Sequence, residues 1–211
     1  MSTPSQPAPT FPQRLQAWIL THACPVYEKS VAPYKRALLG DLSGAILEIG
    51  PGTGVNLAYY PQTVRWIGIE PNPILHAHLR AAIAQKNLPA DLRFGRAEFL
   101  DVPDASLDAV VSTLVLCTVR DVPATLREIL RVLRPGGRFV FIEHVAAPPA
   151  TFTRRLQRFV KPVWRYFGDG CHPDRETWKS IASAGFSSLH LDHFRVPSPI
   201  VGPHIRGSAV K

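Results

Sequence analysis

Cysteine is scarce in this sequence, since the 211 residues include only Cys24, Cys117 and Cys171. They are odd in number and far apart, and no Cys-x-x-Cys pair occurs, which argues against a disulfide framework and against a zinc site. His76, His78, His190 and His193 also lack ligand spacing with carboxylates or cysteines, so no metal site is predicted. A chain of this kind fits the reducing cytosol.

Long apolar runs are also absent. No stretch approaches the ~20 apolar residues that span a bilayer, so no transmembrane segment is expected. Residues 1–12 are rich in Pro, Ser, Thr and Gln. They lack a charged segment followed by an apolar one, which excludes a secretory signal and predicts a disordered tail. We therefore expect a cytoplasmic protein, with peripheral contact at a membrane left open.

Acidic residues are few, and the net charge of +8 allows an anionic partner. The predicted helix 152–167 carries a basic stripe and an apolar stripe, which fits a membrane surface and a wall of a substrate site equally well. The basic residues are not interleaved with surface aromatics over a broad groove, which disfavours nucleic acid. The two stripes are Arg154, Arg158, Lys161 and Arg165, and Phe152, Leu156, Phe159, Val160, Val163 and Phe167.

What the chain does have is an alternation of strand-like and helix-like segments, which predicts a doubly wound α/β sheet. The predicted strands are 45–49, 65–70, 91–95, 107–112 and 138–143, with 188–196 and 204–210 as a final hairpin at the sheet edge. The predicted helices are 14–22, 26–39, 55–60, 73–86, 123–133, 152–161 and 173–184, with Pro25 separating the first two and Pro162 kinking or ending the sixth, which resumes near Trp164. Residues 41–211 would form one domain, and the helices of 13–40 would act as a lid over its ligand site or cover a sheet edge.

A glycine-rich turn follows the first predicted strand. Glu48 ends that strand, and Gly50, Gly52 and Gly54 follow at alternate positions. Glycines in a strand–turn–helix unit let the backbone turn tightly and let a ligand approach it. The third glycine of a dinucleotide fingerprint would fall at position 55, which is Val55. The loop is therefore typical of nucleoside binding but not of NAD.

An acidic residue, Glu70, lies twenty residues past Gly50 at the end of the second predicted strand. In a βαβ unit this spacing places a carboxylate beside the ribose of a nucleoside that sits on the glycines. A carboxylate can accept hydrogen bonds from both ribose hydroxyls. Asn72 is a weaker ribose candidate, because Pro71-Asn72-Pro73 also suits a turn and a helix cap.

The Glu-x-Gly-x-Gly-x-Gly loop, Glu70, and the segments 107–110 and 133–138 resemble the class I S-adenosylmethionine methyltransferases. Within that class the chain is similar to the methyltransferase-like-seven group, the thiol (alkyl) methyltransferases. Segments 113–117, 143–145, 168–171, 175–179 and 201–205 carry this closer resemblance. That group carries a hydrophobic N-terminal membrane anchor, where this chain has its Pro/Ser-rich tail and two short helices.

The resemblance implies a Rossmann-like seven-stranded sheet, mostly parallel with an antiparallel C-terminal strand, and S-adenosylmethionine as cofactor. The glycine loop would take the amino-acid portion of the cofactor, and Glu48 would meet its ammonium group or orient the loop. The segment 97–99 resembles the adenine side, and residues 113–114 lie beside the methyl-transfer point. The predicted cofactor-binding residues are Glu48, Gly50, Gly52, Gly54, Asn56, Glu70, Pro71, Asn72, Ala97, Glu98, Phe99, Thr113 and Leu114.

The resemblance implies a small, fairly apolar thiol as methyl acceptor. A thiol has a reference pKa near 8.5, so strong help from a general base is not essential. An alcohol or an amide nitrogen would need a positioned base, and the catalytic candidates are His144, Asp169 and His204. Each also has a structural interpretation, as a packed histidine or as a residue that satisfies turn amides.

Two other functions are open on the sequence alone. One is O- or N-methylation of a small metabolite, a quinone or a lipid-like substrate, and the other is a cofactor-binding module without turnover. The Asn/Asp-Pro-Pro-Tyr/Phe tetrad of enzymes that methylate base nitrogens is absent at 112–117. An NAD-dependent oxidoreductase is disfavoured by the glycine spacing.

Overall fold

The computed structural model of the protein describes residues 8–22 and 25–211. Most of the expected tail therefore lies outside the described residues. The centre of the fold is a seven-stranded sheet in the order β3-β2-β1-β4-β5-β7-β6. The strands are β1 Gly44–Ile49, β2 Val64–Glu70, β3 Ala90–Phe94, β4 Leu107–Thr113, β5 Leu133–His144, β6 Ser188–Arg195 and β7 Pro203–Val210.

Strand β7 alone runs antiparallel to its neighbours, pairing with β5 on one side and β6 on the other. The other pairings are parallel. This confirms the predicted fold class, a mostly parallel Rossmann-like sheet with an antiparallel C-terminal strand. Because β4 continues the sheet on the opposite side of β1 from β2, the strand order reverses between β1 and β4, which is where ligands bind in such sheets.

The helices depart from the sequence prediction mainly at their ends. They are α1 Phe11–His22, α2 Pro25–Leu39, α3 Leu75–Lys86, α4 Val122–Val132, α5 Phe152–Phe167 and α6 Thr177–Ala182, with a short 3₁₀ helix Val55–Tyr59. Helix α1 begins earlier than predicted because Thr10 and Gln13 form a reciprocal capping box. Pro25 starts α2 rather than separating two helices, as a first-turn proline needs no N–H donor there.

Helix α5 runs through Pro162, so of the two expected effects of this proline, a kink or an end, the end is wrong. Pro162 has no N–H to donate to the carbonyl of Arg158, four residues earlier in the helix. Both residues are exposed, so water can satisfy that carbonyl. Among the described residues, none of the helices combines the length and the apolarity that crossing a bilayer requires.

Both faces of the sheet are buried, which suits parallel strands with helices on each side. On one face Leu47, Val110 and Phe139 pack with Leu126 and Ile129 of α4. A second cluster on the other face contains Ile46, Trp66, Val111 and Val140 from the strands and Leu79 from α3. These two layers hold the carboxyl ends of β1, β2 and β4 at a single edge.

Candidate active site

A cavity of about 990 Å³ opens at the carboxyl ends of β1, β2 and β4. Its volume lies at the upper end of the range for small-molecule sites. The glycine loop and the ends of β1 and β2 form part of the lining, and the segment after β4 adjoins the loop at Val115. Residues of α1 and α2 complete the lining.

The three glycines of the loop are needed for three different reasons. Gly50 and Gly52 line the cavity with positive φ angles of 56° and 62°. A Cβ at Gly50 would come within 2.8 Å of Val115, whereas a Cβ at Gly52 would meet only Leu20, at 3.7 Å, and would stand in the cavity. Gly54 does not line the cavity; it has φ 83° and packs against α3, so a Cβ there would be crowded.

The carboxylate of Glu70 is held at the end of β2 by two backbone donors. Its Oε2 accepts from Gly52 N at 3.0 Å, and its Oε1 accepts from Asn72 N at 2.8 Å. Each oxygen keeps a free lone pair for a ribose hydroxyl. Burial raises the pKa of Glu70 to about 7, because only 4% of its surface is exposed.

Glu48 is buried beneath the glycine loop, and both of its oxygens are used by protein donors. Asn56 Nδ2 donates to one oxygen at 2.7 Å, while Tyr60 Oη and Trp66 Nε1 donate to the other at 3.0 and 2.9 Å. Asn56 Nδ2 also reaches Thr113, whereas its Oδ1 is a buried acceptor without a partner among the described residues. This network favours the loop-orienting interpretation of Glu48 and leaves Asn56 with an acceptor suited to an ammonium group.

Asn72 anchors a helix over the site instead of lining the cavity. Its Nδ2 donates to the carbonyl of Gln13 in α1 at 2.9 Å, and its Oδ1 accepts from Ile74 N at 3.1 Å. The neighbouring Pro71 does line the cavity. Asn72 therefore connects α1 to the end of β2. Both polar atoms of its side chain are already hydrogen-bonded within the protein, which does not support the predicted contact with ribose.

On the expected adenine side, Ala97 and Glu98 line the cavity and Phe99 does not. The Phe99 side chain is 78% exposed, so the structure does not bring this predicted cofactor-binding residue into the cavity. A β-bridge between Arg96 and Phe99 closes a tight turn that points the ring outward. Glu98 accepts from Arg120 N at 2.7 Å and pairs with Arg96 at 3.2 Å.

The segment after β4 forms a mostly uncharged wall beside the glycine loop, the acceptor wall. Thr113, Leu114 and Val115 line it as they leave β4, and Leu114 has a positive φ of 59°. Asp169 brings a carboxylate to this wall from the turn after α5, where its φ is 49°. Burial raises the pKa of Asp169, and Arg96 is the main opposing charge.

Of the three catalytic candidates, only Asp169 lines the cavity. His144 is 5% exposed and lies behind the wall, with Nε2 3.1 Å from Cys171 Sγ. His204 is 1% exposed and bonds the carbonyl of Gly202 at 3.0 Å. Burial lowers the pKa of His204 to about 4, so its ring is neutral near pH 7. Neither histidine stands where it would touch a ligand in the cavity.

Sequence reasoning missed the contribution of specific residues in α1 and α2. Lys35 lines the cavity at 1% exposure, and its Nζ lies 2.6 Å from Glu28 Oε2. Glu28 also accepts from Tyr59 Oη at 2.8 Å. A lysine within an amphipathic helix is ordinarily solvated, so no local signal marks Lys35 as a cavity residue.

The chain fits an adenosyl sulfonium ligand. Gly52 leaves space for close backbone approach, Glu70 offers acceptors for ribose, and Asn56 has a free buried acceptor for the ammonium group. Leu114 and Val115 provide the uncharged surroundings that a reactive methyl group needs.

Comparison with known proteins agrees with this fit. A family model for the methyltransferase domain matches residues 47–141. The human thiol S-methyltransferase TMT1A is 42% identical over 88% of this chain and 82% of its own length. Human thiol S-methyltransferase TMT1B is 37% identical over 92% of this chain and 85% of its own.

A solved SAM-dependent methyltransferase from Thermotoga maritima, described as a possible histamine N-methyltransferase, shares the fold at 22% identity. Its TM-score is 0.67, and the match covers 95% of this chain and 96% of that one. The resemblance deduced from the motifs is therefore confirmed: the chain is an S-adenosylmethionine-dependent methyltransferase and belongs to the thiol S-methyltransferase family.

Proposed function

We propose that the protein methylates the sulfur of a small, fairly apolar thiol. The observation that carries the proposal is that the carboxylate of Glu70 and the uncharged side chains of Leu114 and Val115 line the same cavity. The thiol S-methyltransferases that resemble the chain over most of its length support the same acceptor class.

The residues of the cavity would act mainly by alignment. Bound S-adenosylmethionine supplies an electrophilic methyl group on a sulfonium sulfur. Glu70 and Gly52 would fix the nucleoside, and Asn56 would accept a hydrogen bond from the ammonium group. We assign α1 and α2 the role of a lid that excludes water, supported by the bond from Asn72 to the carbonyl of Gln13. Holding donor and acceptor in line accounts for a large part of the acceleration in such transfers.

Two guanidinium groups in the cavity favour the thiolate form of an acceptor bound near them. Arg96 and Arg120 line the cavity near Asp169. Cationic neighbours lower the pKa of a thiol and increase its thiolate fraction. Asp169 would contact the polar end of the acceptor. This arrangement needs no histidine base, which agrees with the burial of His144 and His204 away from the cavity.

A matched set of acceptors tests the reaction. An alkyl thiol and the alcohol and amine of the same carbon skeleton are each incubated with the protein and S-adenosylmethionine, and the products are identified by mass spectrometry. We expect the methyl thioether from the thiol and no product from the other two, with Glu70→Ala as the background control. Methylation of only the alcohol or the amine would instead support the O- or N-methyltransferase alternative. Cofactor binding without turnover on any acceptor would support the non-catalytic module.

We also propose that α5 docks on an anionic membrane surface, because its apolar stripe faces outward. Phe152, Phe159 and Val163 are 79%, 84% and 62% exposed. The sequence left a membrane surface and a wall of the substrate site equally open, and this orientation favours the membrane surface. Among the basic residues, Arg154 and Lys161 instead face the protein, where each forms an ion pair.

Buried polar contacts hold α5 in this orientation. Gln157 is fully buried; its Nε2 donates to the carbonyls of Val145 and Ile200, and its Oε1 accepts from Ala147 N. The exposed Arg155 and Arg158 flank the apolar stripe. Exposed aromatics beside arginines on one helix are the arrangement of interfacial helices that lie on anionic lipid.

Vesicle flotation tests the membrane contact. We expect the wild type to float with vesicles containing phosphatidylserine, more weakly as salt rises. The double variant Phe159→Ser/Val163→Ser should lose most of this binding. Phe94→Ser is the matched control, since Phe94 is a 43% exposed aromatic on β3, outside α5. Equal flotation of the double variant and the wild type would contradict the proposal.

A further inference from the structure

Three thiol and imidazole side chains that are distant in sequence meet behind the acceptor wall. Cys117 follows β4, His144 ends β5, and Cys171 follows the turn after α5. Their exposed fractions are 2%, 5% and 9%. This cluster of Cys117, His144 and Cys171 takes no part in cofactor binding as described above. Both cysteines are free thiols.

The three potential ligand atoms are close enough to bind one ion. The two sulfurs and a ring nitrogen of His144 all lie within 4.8 Å of one another, and His144 Nε2 is 3.1 Å from Cys171 Sγ. Two ligands on a tetrahedral zinc ion, at about 2.0–2.3 Å from the metal, are separated by about 3.5–3.8 Å. Small side-chain shifts would therefore complete the geometry of three ligands.

The surroundings also suit a metal thiolate. Trp164 Nε1 donates to Cys171 Sγ at 3.3 Å, which is the kind of outer hydrogen bond that stabilises a coordinated sulfur. The guanidinium of Arg175 is held beside the cluster by the carbonyls of Leu116 and Val119.

We propose that Cys117, His144 and Cys171 form a zinc site with three protein ligands. The donor set of two thiolates and an imidazole favours soft or borderline ions such as Zn²⁺. On binding, each cysteine thiol loses its proton and forms a Zn–S bond, and neutral His144 donates its ring lone pair. Two protons are released, and no oxidant or reductant is needed.

The site would stabilise the acceptor wall. Thr118 lines the cavity next to Cys117, and Asp169 and Gly170 line it just before Cys171. One ion would therefore cross-link two segments that no strand pairing joins. The proposal does not rest on the identity of the methyl acceptor, because the cluster exists whatever the substrate.

Metal titration of the full chain tests the site. The chelator-treated, reduced protein is titrated with Co²⁺ and then with Zn²⁺. We expect one ion per chain, thiolate-to-cobalt charge-transfer absorption in the near ultraviolet, and displacement of Co²⁺ by Zn²⁺. Cys117→Ser and Cys171→Ser should each lose this absorption. Cys24→Ser should keep it; Cys24 lies outside the described residues and is the matched cysteine control.

A second measurement on the wild type guards against variants that fail to fold. Zn²⁺ at about 100 times its dissociation constant should raise the melting temperature by about 5–10 °C. Stoichiometric uptake together with this shift would support the site. Absence of uptake by the wild type, or uptake that persists when both Cys117 and Cys171 are replaced, would overturn it.

Discussion

Gly52→Ala should weaken S-adenosylmethionine binding at least about tenfold, and Gly52→Val should abolish measurable binding. The backbone of Gly52 has a φ of 62°, and a Cβ there would stand in the cavity with only Leu20 within 4 Å. A side chain would occupy the space through which the cofactor approaches the backbone. A tenfold loss corresponds to about 1.4 kcal/mol, which displacement of a ligand from close backbone contact readily exceeds.

Gly136→Ala separates this loss from backbone strain. Gly136 has a φ of 76°, and a Cβ there would meet nothing within 4 Å. Both alanine variants should lose about 1–2 kcal/mol of folding free energy from the left-handed conformation, seen as similar falls in melting temperature. Only Gly52→Ala should lose affinity in calorimetric titration. Equal affinity losses in the two variants would show that general destabilisation, rather than blocked approach, explains the effect.

The meeting of the glycine loop with Glu70 was predictable because both signals are local in sequence, whereas Gly54, Asn72 and Phe99 were also expected at the cofactor and do not line the cavity. Strand β1 was expected at 45–49 and is Gly44–Ile49, and β2 was expected at 65–70 and is Val64–Glu70. In a parallel βαβ unit the carboxyl ends of adjacent strands meet at one edge. The glycine loop after β1 and Glu70 at the end of β2 are therefore brought together by topology alone, and the hydrogen bond from Gly52 N to Glu70 joins them.

The placement of the residues expected near the methyl acceptor depends on pairings between strands that are distant in sequence. A sequence pattern does not specify such pairings. His144 is paired with His204 through the antiparallel register of β5 and β7. That register buries both rings behind the wall, although the position of His144 at a strand end predicted a place in the site. The same long-range packing brings Cys117 next to Cys171. Their separation in the sequence had argued against a shared metal ion.

The orientation of α5 was left open by the sequence, which fitted a membrane surface and a wall of the substrate site equally well. The stripe rule assumes that the apolar face of a helix is buried. Here Gln157 and the ion pairs of Arg154 with Glu176 and of Lys161 with Asp174 hold the polar face inward. Those partners come from segments far along the chain, so helical periodicity alone could not predict which stripe faces solvent.

Glu70→Ala should weaken S-adenosylmethionine binding about 100-fold. The carboxylate is held by the backbone N–H groups of Gly52 and Asn72, which leaves one acceptor site on each oxygen for the two ribose hydroxyls. A hydrogen bond to a charged acceptor contributes about 1.5–3 kcal/mol, so the loss of two costs about 3 kcal/mol or more. Asp91→Ala on β3 is the control, since that carboxylate is half-exposed and paired only with Arg93. Unchanged affinity of Glu70→Ala in calorimetry would refute the ribose contact.

The pH dependence of binding tests the same contact without removing the side chain. Burial, with smaller contributions from the charges of Asp169 and Glu48, raises the pKa of Glu70 to about 7 in the free protein against the lowering effect of its two backbone donors. The ring of His76 bonds the backbone carbonyl of Glu70. Ribose donors stabilise the carboxylate, so the pKa falls on binding and a proton is released. Affinity should therefore decrease as pH falls through 7, by about tenfold between pH 8 and pH 6. Glu70→Gln has an amide that does not titrate near pH 7, so the affinity of this variant should not show the tenfold decrease. The ionisation of the cofactor itself is common to both proteins, so an identical pH slope in the wild type and Glu70→Gln would place the titrating group elsewhere.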